Sequence, residues 1–286
     1  MSFTSTAAPA ILTLGLLLAV FAPIRLHPAT KSRVISVLIV ATGAASAAWA
    51  SVVAGAYLVD SLPFAWSEAS LLRLLAGHRA DGPLEFVAVV LLVAAAVRWF
   101  AVIRREPRVV EQSSDGFVVI DDRRLFAYAV SGRDPHIAVS RELVDTLTPA
   151  EFGAVISHER SHLVNRHHQF VRTARRATAF AIWLVPLISS LRYQLERWSD
   201  EDAAEECGDR ELLAMTIAKV ALSDHDRRSA LAIGNHHVRR RVEALLAQPP
   251  GRMTIIDSAT TISANAAATG MVGSALQLHH LLHHIA

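Results

Sequence analysis

The residues most capable of chemistry in this sequence are His158-Glu159-Arg160-Ser161-His162. Two imidazoles four positions apart on an α-helix lie one above the other on the same face, as two ligands of one tetrahedral zinc must. Glu159, beside the first of them, then reaches a water rather than the metal and is placed to take its proton as general base. This arrangement needs a helix. Thr148-Pro149-Ala150-Glu151 starts one, with an N-cap threonine, a proline at the first helical position and a glutamate three residues after the cap to complete a capping box. Phe152, Val155, Ile156, Leu163 and Val164 recur at helical spacing and extend the helix past His162 to about Arg172. The same five-residue string also arises by chance on polar helices, and the capping box and apolar face weigh against that.

A catalytic zinc takes three protein ligands and leaves a fourth position open. Glu196-Arg197-Trp198-Ser199-Asp200 offers the third ligand on a second polar helical stretch. Glu196 and Asp200 share a face there, so Glu196 would bind zinc while Asp200 holds a ligand imidazole through its other ring nitrogen. The alternative is an ordinary solvated acidic helix, since Glu201, Asp202, Glu205 and Glu206 follow; spacing alone leaves both readings open. Before the HExxH helix, short apolar runs at 117–120, 125–130 and 136–139 are separated by Asp121-Asp122 and Ser131-Gly132 and predict a small antiparallel sheet. The last of these, His136, Ile137, Ala138 and Val139, would bind substrate in extended form by strand addition.

HExxH followed 34 residues later by Glu196-x-x-x-Asp200 resembles the membrane zinc peptidases of the BlaR/MecR type, the beta-lactam-response sensor-transducers. These are similar in turn to the HtpX and CAAX-prenyl protease group. The resemblance covers roughly residues 83 to 210, including the strand-like runs and the proline-containing apolar stretch 177–191 between the two motifs. It implies one Zn²⁺ per chain held by His158, His162 and Glu196, with Glu159 as catalytic base and Asp200 as the carboxylate behind a ligand. It also places His236 and His237, ahead of Arg239-Arg240-Arg241, where related peptidases carry a side chain that stabilises the transition state. Beta-lactam sensors have a penicillin-binding domain after the peptidase; no room for one remains before Ala286, so direct antibiotic sensing is not expected.

The composition indicates where such a peptidase would sit. Of the 286 residues 52% are hydrophobic, 19% are charged, and mean hydropathy is +0.33, well beyond a soluble domain. Residues 104–258 hold 22 basic and 22 acidic side chains, most of the charge in the chain. Uncharged or nearly uncharged runs at 9–24, 34–59 and 83–103 are each long enough to span a bilayer. Arg25, Lys31 and Arg33 follow the first run and Arg104, Arg105 and Arg108 the third, so the positive-inside rule puts residues 104 onward in the cytoplasm and the N-terminus outside. The even charge balance leaves no basic face for nucleic acid. Cys207 is the single cysteine, so these residues form no intramolecular disulfide.

If the apolar stretch 177–191 crossed the membrane, Glu196 would lie on the far side of the bilayer from His158 and His162. It is therefore expected as a membrane-associated helix broken near Pro186, buried against the sheet or dipping into the cytoplasmic interface. His167 and His168 read as solvated or as supporting a ligand. Residues 254–278 are weakly apolar and read either as a fourth span or as part of a solvated tail that carries His279, His280, His283 and His284.

The expected protein is thus a mainly α polytopic membrane protein with an α+β zincin-like metallopeptidase domain. Its regions are three spans with an external loop 60–82, a cytoplasmic peptidase over 104–253, and a tail over 254–286. Its expected partners are a protein or peptide substrate and membrane lipid, with a homo-oligomer or a sensor partner left open. The resemblance implies cleavage of a regulatory, repressor-type protein. The alternatives are quality control of the HtpX kind and a non-catalytic sensor scaffold with a structural zinc.

Overall fold

The computed structural model describes residues 26–61, 83–104, 117–132, 134–225 and 232–250. It is mostly helical with one small sheet. Two long helices, α1 (Pro28–Ser61) and α2 (Pro83–Arg104), pack on each other. Strands β1 (Phe117–Ile120), β2 (Ala127–Val130) and β3 (His136–Ser140) follow, then α3 (Arg141–Thr146), α4 (Pro149–Val164) and α5 (His167–Ala177). A single 3₁₀ turn (Ile182–Leu184) leads into α6 (Val185–Cys207), α7 (Arg210–His225) and α8 (Ala232–Leu246).

The expected antiparallel sheet is in fact mixed, in the order β1-β3-β2, with β3 parallel to β1 and antiparallel to β2. β3 carries the most deeply buried residues, Ile137, Ala138, Val139 and Ser140, and takes the centre, where both of its backbone edges are paired. The six residues between β1 and β2 are enough to step over a central strand, a displacement of roughly 10 Å. One consequence corrects the sequence reading: with both edges occupied, His136, Ile137, Ala138 and Val139 cannot accept a substrate by strand addition. The strand with a free edge next to α4 is β2, among the described residues.

The capping box forms as read, with Thr148 N–H donating to Glu151 Oε2 at 2.8 Å and Glu151 N–H to Thr148 Oγ1 at 3.3 Å. The helix does not continue to Arg172. It ends at Val164, where Asn165 Nδ2 donates to Ser161 Oγ and Asp202 Oδ2, and Arg166 adopts a left-handed φ of 52° before α5 begins. That conformation costs a non-glycine residue on the order of 1 kcal/mol; its effect is to turn His167 back toward the HExxH face.

α6 divides the core. Leu187, Leu191, Leu195 and Trp198 recur every three or four residues and bury one stripe against Ile35 and Ile39 of α1. Ala203 and Ala204, further along, pack on Ala154 of α4, Leu213 of α7 and Leu245 of α8. Ile137 and Val139 form a third cluster with Leu143, Leu147 and Ile156 between sheet and α4. Each buried leucine contributes roughly 1.5–3 kcal/mol. Glu201 accepts from Arg197 at 2.6 Å and from Arg210, whose other nitrogens donate to Leu245 O and Ala244 O, so one carboxylate links α6, α7 and the end of α8.

Residues 177–191 are not one helix broken at Pro186. α5 ends at Ala177, a turn and the 3₁₀ segment follow, and Pro186 sits in the first turn of α6, where no helical partner for its missing N–H is needed. The segment packs on α1 rather than on the sheet: Ala181, Leu184, Leu187 and Leu191 are buried beside Ile35 and Ile39, while Ile182, Trp183 and Val185 face outward.

The expected span 34–59 lies within α1, and α2 covers 83–103 with Phe86, Leu91, Val97 and Phe100 exposed. By length and composition, one helix among the described residues, Pro28–Ala48, is able to cross a bilayer, a criterion that a core helix also meets; 39% of that window is buried. The expected span 9–24, most of the loop 60–82, and the tail 254–286 with its four histidines lie outside the described residues.

α1 approaches the body closely at Gly43. A Cβ there would lie 2.6 Å from Ala177 O and 2.9 Å from Ala177 Cβ, in contact with backbone that cannot rotate away. Gly43→Ala should therefore destabilise the protein by about 1–3 kcal/mol, seen as a lower midpoint in a thermal melt of the detergent-solubilised chain. An unchanged midpoint would show that α1 does not pack this tightly.

Candidate metal centre

α4 and α6 bring the two sequence motifs together. His158 Nε2 lies 3.2 Å from His162 Nε2, and each is 3.5 Å from an oxygen of Glu196. One ligand atom from each of His158, His162 and Glu196 falls within 4.8 Å of the others. Zinc bonds of about 2.0–2.1 Å at tetrahedral angles put ligand atoms roughly 3.3 Å apart, so the triad fits a zinc ion in both donor type and spacing. Three electron-rich atoms converging in this way need a cation or a shared proton between them.

Asp200, fully buried, stands behind His158 with Oδ1 3.2 Å from Nδ1, an ion-pair contact rather than an aligned hydrogen bond. It is held in turn by Arg241, whose Nε and Nη2 donate to its two oxygens at 2.9 and 2.7 Å. Arg241 Nη1 also reaches Glu196 Oε2 at 2.9 Å. One bidentate guanidinium therefore fixes both carboxylates of the ExxxD pair. Sequence reasoning named the Arg239-Arg240-Arg241 run without separating its members. Arg239 and Arg240 are exposed, and only the packing of α8 against α6 singles out Arg241.

His162 has a different support. Its Nδ1 is 2.9 Å from His167 Nδ1, which is also 3.2 Å from Ser199 Oγ, and the His167 ring packs on Trp198 with centroids 4.7 Å apart. A His162 that binds through Nε2 carries its proton on Nδ1, which then donates to His167. Of the two readings of His167, the solvated one does not hold, since the residue is 3% exposed and contacts His162. His168 is exposed. The rings of His236 and His237 adjoin each other, and His237 packs edge-on against Tyr193, one turn before Glu196 on α6.

Electrostatics separates the roles. Burial pushes the Glu159 carboxyl up to about 7, against the pull of His158, Arg241 and an N–H from Ala129 of β2, which suits a base working near neutrality. Burial alone would lower His158, but Asp200 and Glu196 outweigh it and raise it to about 9 in the metal-free site. Burial lowers His162 to about 4, keeping that ring neutral as a ligand must be. Burial would raise Glu196 and Asp200, yet His158 and Arg241 hold both well below the usual carboxylate range. Burial and, next, Glu206 raise the Cys207 thiol, so it is no activated nucleophile.

Removing Glu196 with Glu196→Ala should abolish stoichiometric zinc in the purified protein, measured by elemental analysis. Asp200→Asn should leave zinc bound but weaken it about 10- to 100-fold in a chelator competition. Equal affinity in the Asn variant would remove Asp200 from any role at the metal.

No curated protein matches the chain. Residues 99–224, which include both motifs, match the model of Peptidase family M48, whose members are generally zinc-dependent peptidases, and the match is consistent with the HtpX and CAAX-prenyl protease group.

Proposed function

We propose that this protein is a polytopic membrane zinc endopeptidase whose active site faces the cytoplasm. The observation that carries the reading is the convergence of His158, His162 and Glu196 beside Glu159 and a free sheet edge, within the stretch that matches a peptidase family. A zinc ion bound by the triad would polarise the scissile carbonyl and acidify a water. Glu159 takes a proton from that water as its oxygen attacks the carbonyl carbon. It then returns the proton to the amine nitrogen as the C–N bond breaks. Asp200 and Arg241 hold His158 and Glu196 in place throughout, and His167 does the same for His162.

The substrate lies along β2 in extended form. Phe126 bonds β3 through both of its backbone groups, and the pairing alternates from there, so Ala127 and Ala129 turn their N–H and C=O groups away from the sheet. In the free protein Ala129 N–H meets Glu159. Backbone pairing of this kind selects for extended, unfolded segments more than for side chains. That supports a membrane-proximal substrate opened by regulation or by damage: a repressor-type regulator, or the misfolded proteins that a quality-control enzyme removes. The M48 match lends weight to the second. In either case the topology we propose is the one expected from the sequence, with spans at 9–24, 34–59 and 83–103 and the N-terminus outside; it rests on the basic flanks of these runs, and among the described residues the helix Pro28–Ala48 meets the length and composition of a span.

Glu159→Gln should retain zinc and cut a quenched-fluorescent peptide library at least about 100-fold more slowly; function that survives this change would leave a scaffold with a structural metal. Ala127→Pro removes one outward N–H from an edge strand that tolerates proline, and should lower kcat/KM about tenfold with zinc content unchanged. Comparing proteins that accumulate in wild-type and Glu159→Gln cells distinguishes one dominant regulatory substrate from a broad set.

A further inference from the structure

A cleft of about 1340 Å³ is lined by Glu159, His162, Glu196 and residues of β2. Its remaining charged lining is basic. Arg98 of α2, Arg166 at the left-handed kink, Arg172 and Arg175 of α5, and Arg192 of α6 all face it. Among the described residues, no carboxylate pairs with Arg98, Arg166, Arg175 or Arg192, while elsewhere Arg160, Arg197, Arg210 and Arg241 all have one. Arg175 and Arg192 come from consecutive helices and are close enough for repulsion to register: burial and, next, Arg175 lower Arg192. The two acids in the cleft are already engaged, Glu196 with Arg241 and both histidines, and Glu159 with the Ala129 amide. Among the described residues the fold therefore gathers Arg98, Arg166, Arg175 and Arg192 along one cleft with no carboxylate to neutralise them.

We propose that this basic lining is a specificity subsite for acidic side chains of the polypeptide being cleaved, read by Arg98, Arg166, Arg175 and Arg192. The inference rests on the peptidase reading above and adds the substrate's chemistry to it. A polypeptide is favoured over a lipid headgroup because the arginines share one continuous cleft with the base and the edge strand, and its volume is far larger than a headgroup needs. A chain laid along β2 passes from the reacting bond directly onto the basic wall. Its aspartates or glutamates then meet guanidinium forks, which bind carboxylates in two-point fashion, and the concentrated positive field speeds their approach.

The test uses the full-length, zinc-loaded Glu159→Gln protein in neutral detergent. Fluorescein-labelled decapeptides that differ only in a Glu-Glu, Gln-Gln or Lys-Lys pair report binding by anisotropy. The Glu-Glu peptide should bind about fivefold or more tighter than Gln-Gln at low salt, and the Lys-Lys peptide weakest. The Arg175→Gln/Arg192→Gln variant, checked for equal zinc content, should bring the Glu-Glu to Gln-Gln ratio close to one. Equal binding of the three peptides to the unsubstituted protein overturns the proposal, as does an acidic preference that survives in the double variant. So does displacement of the Glu-Glu peptide by phosphatidylglycerol vesicles but not by excess unlabelled peptide, which would assign the wall to lipid. Cleavage of the same peptides by the wild-type protein separates the two readings. Acidic peptides that bind through the arginines but are not cut by any preparation would sink the peptidase reading and leave the acidic subsite standing.

Discussion

Two imidazole nitrogens and a carboxylate held within 3.5 Å of one another repel unless a cation or proton lies between them, and much of the fold serves to keep them there. The helices α4 and α6 meet through Ala154, Ala203 and Ala204, small side chains that let the axes approach closely enough for His158 and His162 to reach Glu196. Polar contacts then fix the register. Ser161 Oγ donates to Asp202 Oδ2 at 2.7 Å, and Asn165 Nδ2 donates to the same oxygen at 2.8 Å. α8 adds Arg241, which would be costly to bury unless both carboxylates of α6 were present to receive it. Each element thus supplies something the convergence needs: α4 the nitrogens, α6 the oxygens, and α8 a charge that joins His158 in keeping those oxygens ionised.

The support for His162 runs in the opposite direction, toward α1. His167 contacts His162, Trp198 packs on His167, and Arg33 of α1 lies over the Trp198 ring with its guanidinium carbon 4.9 Å from the centroid. Below this level Ile35 and Ile39 join the α6 stripe, and Gly43 meets Ala177. The helix that most resembles a membrane span is therefore not a tether joined to a finished domain. It forms one wall of the core in which His162 and Glu196 are seated.

What could be read from the sequence was local. The HExxH face, the capping box and the ExxxD face each depend on helical periodicity within a few residues, and the structure reproduces all three. The mixed strand order was not legible, because turn residues show where strands end and not which strand lies between two others. The kink at Arg166 was hidden for a related reason: a left-handed residue is normally announced by glycine or asparagine, and here the asparagine stands one place earlier, at Asn165, as a side-chain donor. That kink is what carries His167 to His162, so the missed break is also why the sequence left two readings of His167 open. Arg241 and the arginines of the cleft were lost in an evenly charged sequence; which charges are paired is a property of packing between helices distant in sequence.

The apolar stretch 177–191 shows how the two levels fit. Its hydropathy suggested a span, and metal geometry excluded one because Glu196 must stay with His158. On the membrane reading proposed above, both facts follow from where the stretch lies along α1. Gly43, which touches Ala177, is ten residues beyond Arg33, or roughly 15 Å further along the helix axis at 1.5 Å per residue. If Arg33 marks the headgroup level, the turn between α5 and α6 reaches well below it. Its inner side chains, Ala181 and Leu184, face Ile35 and Ile39, while its outer ones, Ile182, Trp183 and Val185, face what would then be acyl chains. The stretch is apolar on both sides without crossing, and the chain returns through α6 to bring Glu196 back to the side where the histidines wait.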